Sequence, residues 1–180
     1  MITADGYFEG VNHELSWHNV DAEFNDFAIA QLEEADTLIF GRKTYDMMAA
    51  FWPTEPAKKN DPEVAEKMNT KSKLVFSHTL SGASWQNTTV ISDSSLDQLR
   101  KFKEMPGKSL LILGSSNLCV SLLKAALIDE LRIMVNPTII GKGTPLFVGL
   151  SSPIRLQLSG NQVFRSGNVL LRYSANNTGE

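Results

Sequence analysis

The chain is poor in cysteine and histidine and has no long apolar run, and each shortage removes a class of protein. Its 180 residues hold one cysteine, Cys119. No intrachain disulfide can form, which is the usage expected of a reducing cytoplasm. Cys119 lies in Leu118-Cys119-Val120-Ser121-Leu122-Leu123, where a thiol behaves as a small buried hydrophobe rather than a nucleophile. His13, His18 and His78 have no cysteine or carboxylate partner at ligand spacing, so no metal site is expected. No run approaches the ~20 apolar residues of a membrane span, and the first residues show neither the basic nor the apolar region of a signal peptide. Lys and Arg number 17 against 20 Asp and Glu, a net charge of -3. There is no basic stripe, which argues against a nucleic-acid surface.

What is present is the composition of a globular protein, 42% hydrophobic and 21% charged. The length predicts one domain over residues 1–175 and a frayed tail over 176–180. A short strand from Met1 enters a turn at Asp5-Gly6. Residues 9–18 are polar and turn-rich. Asp21 is placed to cap a helix carrying Phe24, Phe27, Ile29, Ala30 and Leu32 at helical spacing. A strand over 36–41 and a helix over 43–51 follow. Residues 54–60, with proline and two lysines, read as a surface loop. Asp61-Pro62 opens a helix through Met68. Strands are expected over 73–77 and 88–91, a helix over 95–104, a strand over 109–113, a helix from Gly114 to about Leu127 and a strand over 130–136. Residues 140–145 form a glycine-rich loop. Residues 154–164 and 168–173 read as a closing hairpin that turns near Ser166-Gly167. Strands alternating with helices, then two closing strands, predict an α/β sheet that is mostly parallel with an antiparallel edge.

Three strand ends carry ligand-type chemistry. The first is Thr37-Leu38-Ile39-Phe40-Gly41-Arg42-Lys43-Thr44. Gly41 permits close backbone approach, the next helix turn offers N–H groups to an anion, and Arg42, Lys43 and Thr44 add donors. The second is Leu113-Gly114-Ser115-Ser116-Asn117-Leu118. It is neither a P-loop nor the dinucleotide fingerprint, and its small residues leave backbone N–H groups accessible. The third is Ser77-His78-Thr79, whose hydroxyls and imidazole suit a phosphate or ribose. Taken singly, each also reads as an ordinary turn or helix cap. Together, on one parallel sheet, they fall along the edge where open α/β folds bind ligands.

These turns, with Thr3-Ala4-Asp5-Gly6-Tyr7-Phe8, Ile128-Asp129-Glu130-Leu131 and the segment Pro137 to Phe147, follow in an order that resembles the dihydrofolate reductase superfamily. The match is to the branch of the C-terminal reductase domain of the bifunctional riboflavin-biosynthesis deaminase-reductase. The resemblance implies a three-layer fold, a central mixed sheet with helices on both faces, and NADPH as hydride donor. It assigns Gly41, Arg42, Lys43 and Thr44 to the cofactor's phosphates, Ser77, His78 and Thr79 to the 2′-phosphate, and Gly114, Ser115, Ser116, Asn117 and Leu118 to the pyrophosphate. Asp5 is placed near the nicotinamide, where a raised pKa would make it an acid; plain turn chemistry with Gly6 is its other reading. Asp26 lies on the helix whose acid binds the pterin in dihydrofolate reductases, with solvation as its other reading. Trp17, Phe51 and Trp52 are candidates for an aromatic wall against a flat substrate, or for core.

The expected function is a cytoplasmic NADPH-dependent reductase of a small heterocyclic or carbonyl substrate, with 5-amino-6-(5-phosphoribosylamino)uracil reductase the nearest named activity. Neither a deaminase segment nor a ribose-phosphate clamp is legible in these residues. A true dihydrofolate reductase and a non-catalytic NADPH-binding regulatory module are the alternatives. A homodimer is expected from the apolar residues Val163-Phe164, Val169-Leu170-Leu171, Ile139-Ile140 and Leu146-Phe147-Val148, which exceed what one side of a sheet buries.

Overall fold

The computed structural model describes residues 1–92 and 96–175. In chain order the elements are β1 (Ile2–Thr3), β2 (Tyr7–Glu9), α1 (Ala22–Glu33), β3 (Ala35–Gly41), α2 (Arg42–Phe51), α3 (Glu55–Asn60), α4 (Pro62–Thr70), β4 (Ser72–Phe76), β5 (Thr88–Ile91), α5 (Asp97–Glu104), β6 (Ser109–Ile112), α6 (Ser116–Lys124), β7 (Glu130–Asn136), β8 (Thr144–Pro145), β9 (Gln157–Val163) and β10 (Val169–Ser174). The expected start of α5 at Ser95 and the tail over 176–180 lie outside the described residues. Among the described residues no helix is long and apolar enough to cross a membrane.

The chain divides into two compact units, one of residues 25–119 and one of residues 1–24 with the chain from Val120 onward. The first is built on a four-stranded parallel sheet in the order β5-β4-β3-β6. Central β3 is the apolar run, and its Leu38, Ile39 and Phe40 are at most 1% exposed. Leu38 and Phe40 reach the core formed with Tyr45, Val64, Met68, Val75 and Trp85. The second unit holds a mixed sheet in the order β1-β7-β10-β9, with a small β2–β8 ladder beside it. There β1 runs parallel to β7, while β10 is antiparallel to both its neighbours. The parallel character and the antiparallel close of the chain are therefore both present.

Local chemistry explains most boundaries. The Asp21 carboxylate accepts the Phe24 N–H at 2.8 Å and caps α1. Pro62 occupies the first turn of α4. The expected loop over 54–60 is instead a helix, α3. Thr54 Oγ1 accepts the Ala57 N–H at 3.4 Å, proline sits in the first turn, and Ala57 is fully buried. Tertiary burial of one alanine and a good cap outweigh the weak intrinsic signal of a six-residue segment.

Lys73 is the least expected member of the interior. Its side chain is fully buried on β4. The ammonium donates to the carbonyls of Lys71 (2.8 Å), Asn69 (3.0 Å) and Gln86 (3.2 Å) and lies 4.5 Å from the Trp85 ring centroid. It ties the end of α4 to the segment entering β5. Trp85 is held in turn by Asn69 Oδ1, which accepts its indole N–H at 2.7 Å, and by Tyr45 Oη, which accepts its backbone N–H at 3.1 Å. Burial pushes the Lys73 pKa down to about 8, while the three carbonyls and the aromatic face hold the charged form.

Lys73→Met should therefore lower stability by about 2–4 kcal/mol in urea unfolding at neutral pH, because it strands buried carbonyls. Gln86 Nε2 still covers Asn69 O and the Thr88 hydroxyl reaches Gln86 O at 3.5 Å, so the loss falls chiefly on the carbonyl of Lys71. The pH dependence has a defined sign. From about pH 8 up to the ordinary lysine value of 10.5, the unfolded chain holds more protons at this site than the folded one. Stability from Lys73 therefore rises with pH across that window, and the rise should be missing from the Lys73→Met curve.

Candidate functional site

Parallel pairing brings the three ligand-type turns to one end of the parallel sheet. Gly41 is opposite Phe76 of β4, and Ile39 is opposite Ile112 of β6. The ladder runs on past β6: Leu113 N–H donates to Ile39 O at 3.2 Å, and Gly41 N–H donates to Gly114 O at 3.0 Å. The first and second turns are thus in direct contact. A Cβ on Gly41 would lie 2.5 Å from Ser115 Oγ, and one on Gly114 would lie 3.2 Å from Thr44 Oγ1. Gly114 also has φ +125°, a conformation side chains resist. Gly41, Thr44, Gly114 and Ser115 therefore form one closely apposed group.

The helices that start here present donors. Gly41 is the N-cap of α2 and no side chain caps that end, which leaves first-turn N–H groups available to an anion. Lys43 is exposed and Thr44 half-buried. Arg42 Nε donates to Asp46 Oδ2 at 2.6 Å. That fixes the guanidinium along α2 and uses one of its five donors. At α6, Ser115 O accepts the Cys119 N–H at 3.0 Å, Ser116 is buried and Asn117 exposed. Leu118 is half-buried.

At the third turn, Ser77 Oγ accepts the N–H groups of Thr79 (3.2 Å) and Leu80 (3.1 Å). Ser77 shapes the turn, leaving exposed His78 and Thr79 as its outward groups. His78 Nδ1 is 2.8 Å from Ser92 O, a contact that requires Nδ1 to carry a proton and leaves Nε2 as the ring's other polar atom.

The remaining candidates separate. Asp26 is an exposed carboxylate on α1, while its neighbour Asn25 donates to Asp61 Oδ1 at 3.0 Å. The solvated reading of Asp26 fits this placement. Phe51 is 47% exposed at the end of α2. Trp52 meets it edge-on at 5.0 Å and packs on the core, with its indole N–H on Met48 Sδ at 3.1 Å. Trp52 is thus a core residue, and Phe51 is the aromatic left facing outward.

Asp5 and Trp17 belong to the second unit. The Asp5 carboxylate accepts the Gly141 N–H at 2.8 Å and the Ile140 N–H at 3.4 Å. The Thr3 hydroxyl foremost, then these N–H groups, hold its pKa below the ordinary carboxylate value. An acid working near neutral pH needs the opposite shift. Asp5 is here an anchor for the loop after β7. Trp17 meets His18 edge-on at 4.4 Å. Burial pushes the His18 pKa down to about 4, so this imidazole is neutral at pH 7.

One network had no signal in the sequence. Asn19 N–H donates to Asn136 Oδ1 (2.8 Å), Asn19 Nδ2 to Ser166 O (2.9 Å), and Asn168 Nδ2 to Asn19 O (2.7 Å). Asn136 and Asn168 are fully buried. Together they pin the segment before α1 to one end of the mixed sheet. Scattered asparagines announce such a network only once β7 and β10 are paired.

Fold and turns define a dihydrofolate-reductase-like α/β protein. The chain matches the RibD C-terminal domain over residues 1–170 and belongs to that family of reductase-like domains. It is 32% identical to the uncharacterized protein YyaP of Bacillus subtilis strain 168 over 177 residues, covering 97% of this chain and 92% of that one. The fold is similar to that of a putative riboflavin biosynthesis protein from Shewanella sp. PV-4, with TM-score 0.74, 24% identity, and 97% and 95% of the two chains covered. It is also similar to dihydrofolate reductase from Enterococcus faecalis complexed with NADP(H), with TM-score 0.62, 15% identity, and 98% and 93% covered.

The contact between the turns is open to a double-mutant test. Gly41→Ala should destabilise the protein by about 1–3 kcal/mol through overpacking, since φ at Gly41 is -78° and alanine is otherwise tolerated there. Combining it with Ser115→Ala should return part of that loss, so that the double mutant is less destabilised in denaturant unfolding than the sum of the two single mutants.

Proposed function

We propose that the chain is a cytoplasmic reductase that uses NADPH to reduce a small heterocyclic or carbonyl substrate, with the aminouracil reduction of riboflavin biosynthesis as the nearest named activity. The observation that carries this reading is the junction of Gly41 with Gly114, which sets the uncapped start of α2 against the turn into α6. Two helix starts and three small residues at one sheet edge suit a ligand with several phosphates. Family membership over residues 1–170 supports the same class.

The donor set fits the cofactor. Gly41, Thr44, Gly114 and Ser115 offer backbone and hydroxyl contacts where only small groups are tolerated. Arg42 and Lys43 bring positive charge to the same turn, and His78 and Thr79 face outward one strand away. An extra 2′-phosphate is recognised best by such cations. The bound dinucleotide would supply the hydride, and the protein's part is to hold and orient it. Ser116, Asn117 and Leu118 continue the second turn along α6, and exposed Phe51 remains the candidate to face a flat substrate. In this reading Asp5 stays ionised and holds its loop, so the proton comes from another source. The exposed placement of Asp26 gives no support to a dihydrofolate reductase.

Calorimetry with NADPH and NADH at one fixed salt tests the proposal. The expected result is tighter binding of NADPH. Arg42→Ala should weaken NADPH more than NADH, by about 1.5–3 kcal/mol for a lost charged hydrogen bond. Equal affinities, or a preference for NADH, would overturn the cofactor reading.

A further inference from the structure

The end of α1 and the start of β3, at the other end of that strand from Gly41, gather three lysines. Lys71, which follows α4, is half-buried, and its ammonium donates to Ala35 O at 2.5 Å. The Lys108 ammonium donates to Glu33 O at 2.9 Å, and its backbone N–H donates to Asp36 Oδ2 at 3.0 Å. Lys67, one turn before Lys71, pairs with Glu33 at 3.0 Å and with Glu63 at 3.5 Å. Lys67 and Lys71 line an open groove of about 620 Å³ along α4, together with Pro62, Glu63, Glu66 and Thr70.

Lys67 and Lys71 are not equivalent. The hydrogen bond to Glu33 foremost, with the charges of Glu33 and Glu63, holds the Lys67 pKa above the ordinary lysine value. Burial foremost, then the charges of Lys108 and Lys67, holds that of Lys71 below it, with Asp36 and Glu33 opposing. Of the two, Lys71 therefore loses its proton first. Its hydrogen bond survives that loss, because a neutral amine still has N–H groups for Ala35 O and gains a free lone pair. The charges around the amine are Glu63, Glu66 and Lys67 on α4, Glu33 on α1, Asp36 on β3 and Lys108 before β6. An anion formed on Lys71 would turn repulsion by two ammonium groups into attraction.

We propose that Lys71 is a carbamylation site, where the neutral amine adds carbon dioxide reversibly. The Nζ lone pair forms a bond to the carbon, one C=O π pair moves onto oxygen, and a proton leaves the nitrogen for solvent. Nothing is oxidised or reduced. The product keeps a single N–H, which is what Ala35 O needs, and its carboxylate has the Lys67 and Lys108 ammonium groups for neighbours. Carbon dioxide is small and neutral, so the mixed charges of the groove do not bar it. Lys73 is the contrast. Burial lowers its pKa too, but it is fully buried beneath three carbonyls and the Trp85 ring, and carbonyl oxygens repel a carboxylate. The addition turns a cation into an anion at the start of β3, a change with consequences for neighbouring helix ends. The inference does not depend on the reductase reading.

The full chain, incubated with isotope-labelled bicarbonate at about pH 8, below the ordinary lysine range, and trapped with triethyloxonium, should carry an ethyl carbamate on Lys71. Peptide mass spectrometry reads each lysine separately. Labelling of Lys71 should exceed that of exposed Lys58 and Lys59, and Lys73 should stay unlabelled in the folded chain. Lys108→Gln should lower Lys71 labelling about two- to fivefold, the size of one exposed ion pair. Lys108→Arg, which keeps the cation, should retain it. Circular dichroism checks both folds, and the comparison among lysines of the parent stands if a variant misfolds. Lys71 labelled no more than Lys58 and Lys59, Lys73 labelled as strongly as Lys71, or a folded Lys108→Gln variant labelled like the parent would each overturn the proposal.

Discussion

The hydrogen bond from Gly41 N–H to Gly114 O is where fold and site meet. It extends the β3–β6 ladder beyond the last residues of regular strand and brings two helix starts within contact of each other. The constraint is steric before it is electrostatic. One methyl group on Gly41 would strike Ser115, and one on Gly114 would press on Thr44 in a backbone conformation that side chains resist. Without both glycines, the N–H groups of α2 and the turn into α6 would be pushed apart, and the anion chemistry that each turn suggests would be divided between two weak places.

Polar groups inside the protein do the work of holding loops. Lys73 gathers three carbonyls from α4 and the approach to β5 under the Trp85 ring. Asn19, Asn136 and Asn168 fasten the segment before α1 to one end of the mixed sheet. At Lys73 and Asn136 the buried group is matched to backbone partners, which is the condition under which burying it is tolerable. Asp5 follows the same logic at the surface. Its carboxylate accepts two N–H groups of the loop after β7, and the Thr3 hydroxyl foremost, then these hydrogen bonds, lower its pKa.

The mixed sheet divides its labour between faces. Met134, Asn136 and Leu170 point to one side and are buried, whereas Ile133, Val135, Val169, Leu171, Leu158 and Val163 on the other side are apolar without being buried. The register shift at Ser159 matters here, because a strand in which side chains alternate by two would otherwise put Leu158 on the opposite side from Val163.

Most of the fold was legible in the sequence because its signals are local. The strand over 36–41 stops at a glycine, Asp21 stands where a helix begins, and Pro62 opens the next; each is decided by residues within a turn of one another. The family resemblance was legible for the same reason, as short motifs in a fixed order. Helix α3 was not, since proline and paired lysines read as loop and only the burial of Ala57 stabilises the segment as helix. The roles of Asp5 and Trp52 were likewise set elsewhere, by a loop more than a hundred residues away in the chain and by the core. The contact of Gly41 with Gly114 and Ser115, the buried Lys73, the asparagine network and the uncovered face all depend on which strands pair and in what register. The sequence alone determined where strands and helices form and which turns carry donors. Tertiary structure alone decided which of those donors meet, because register is a property of pairs of strands distant in the chain.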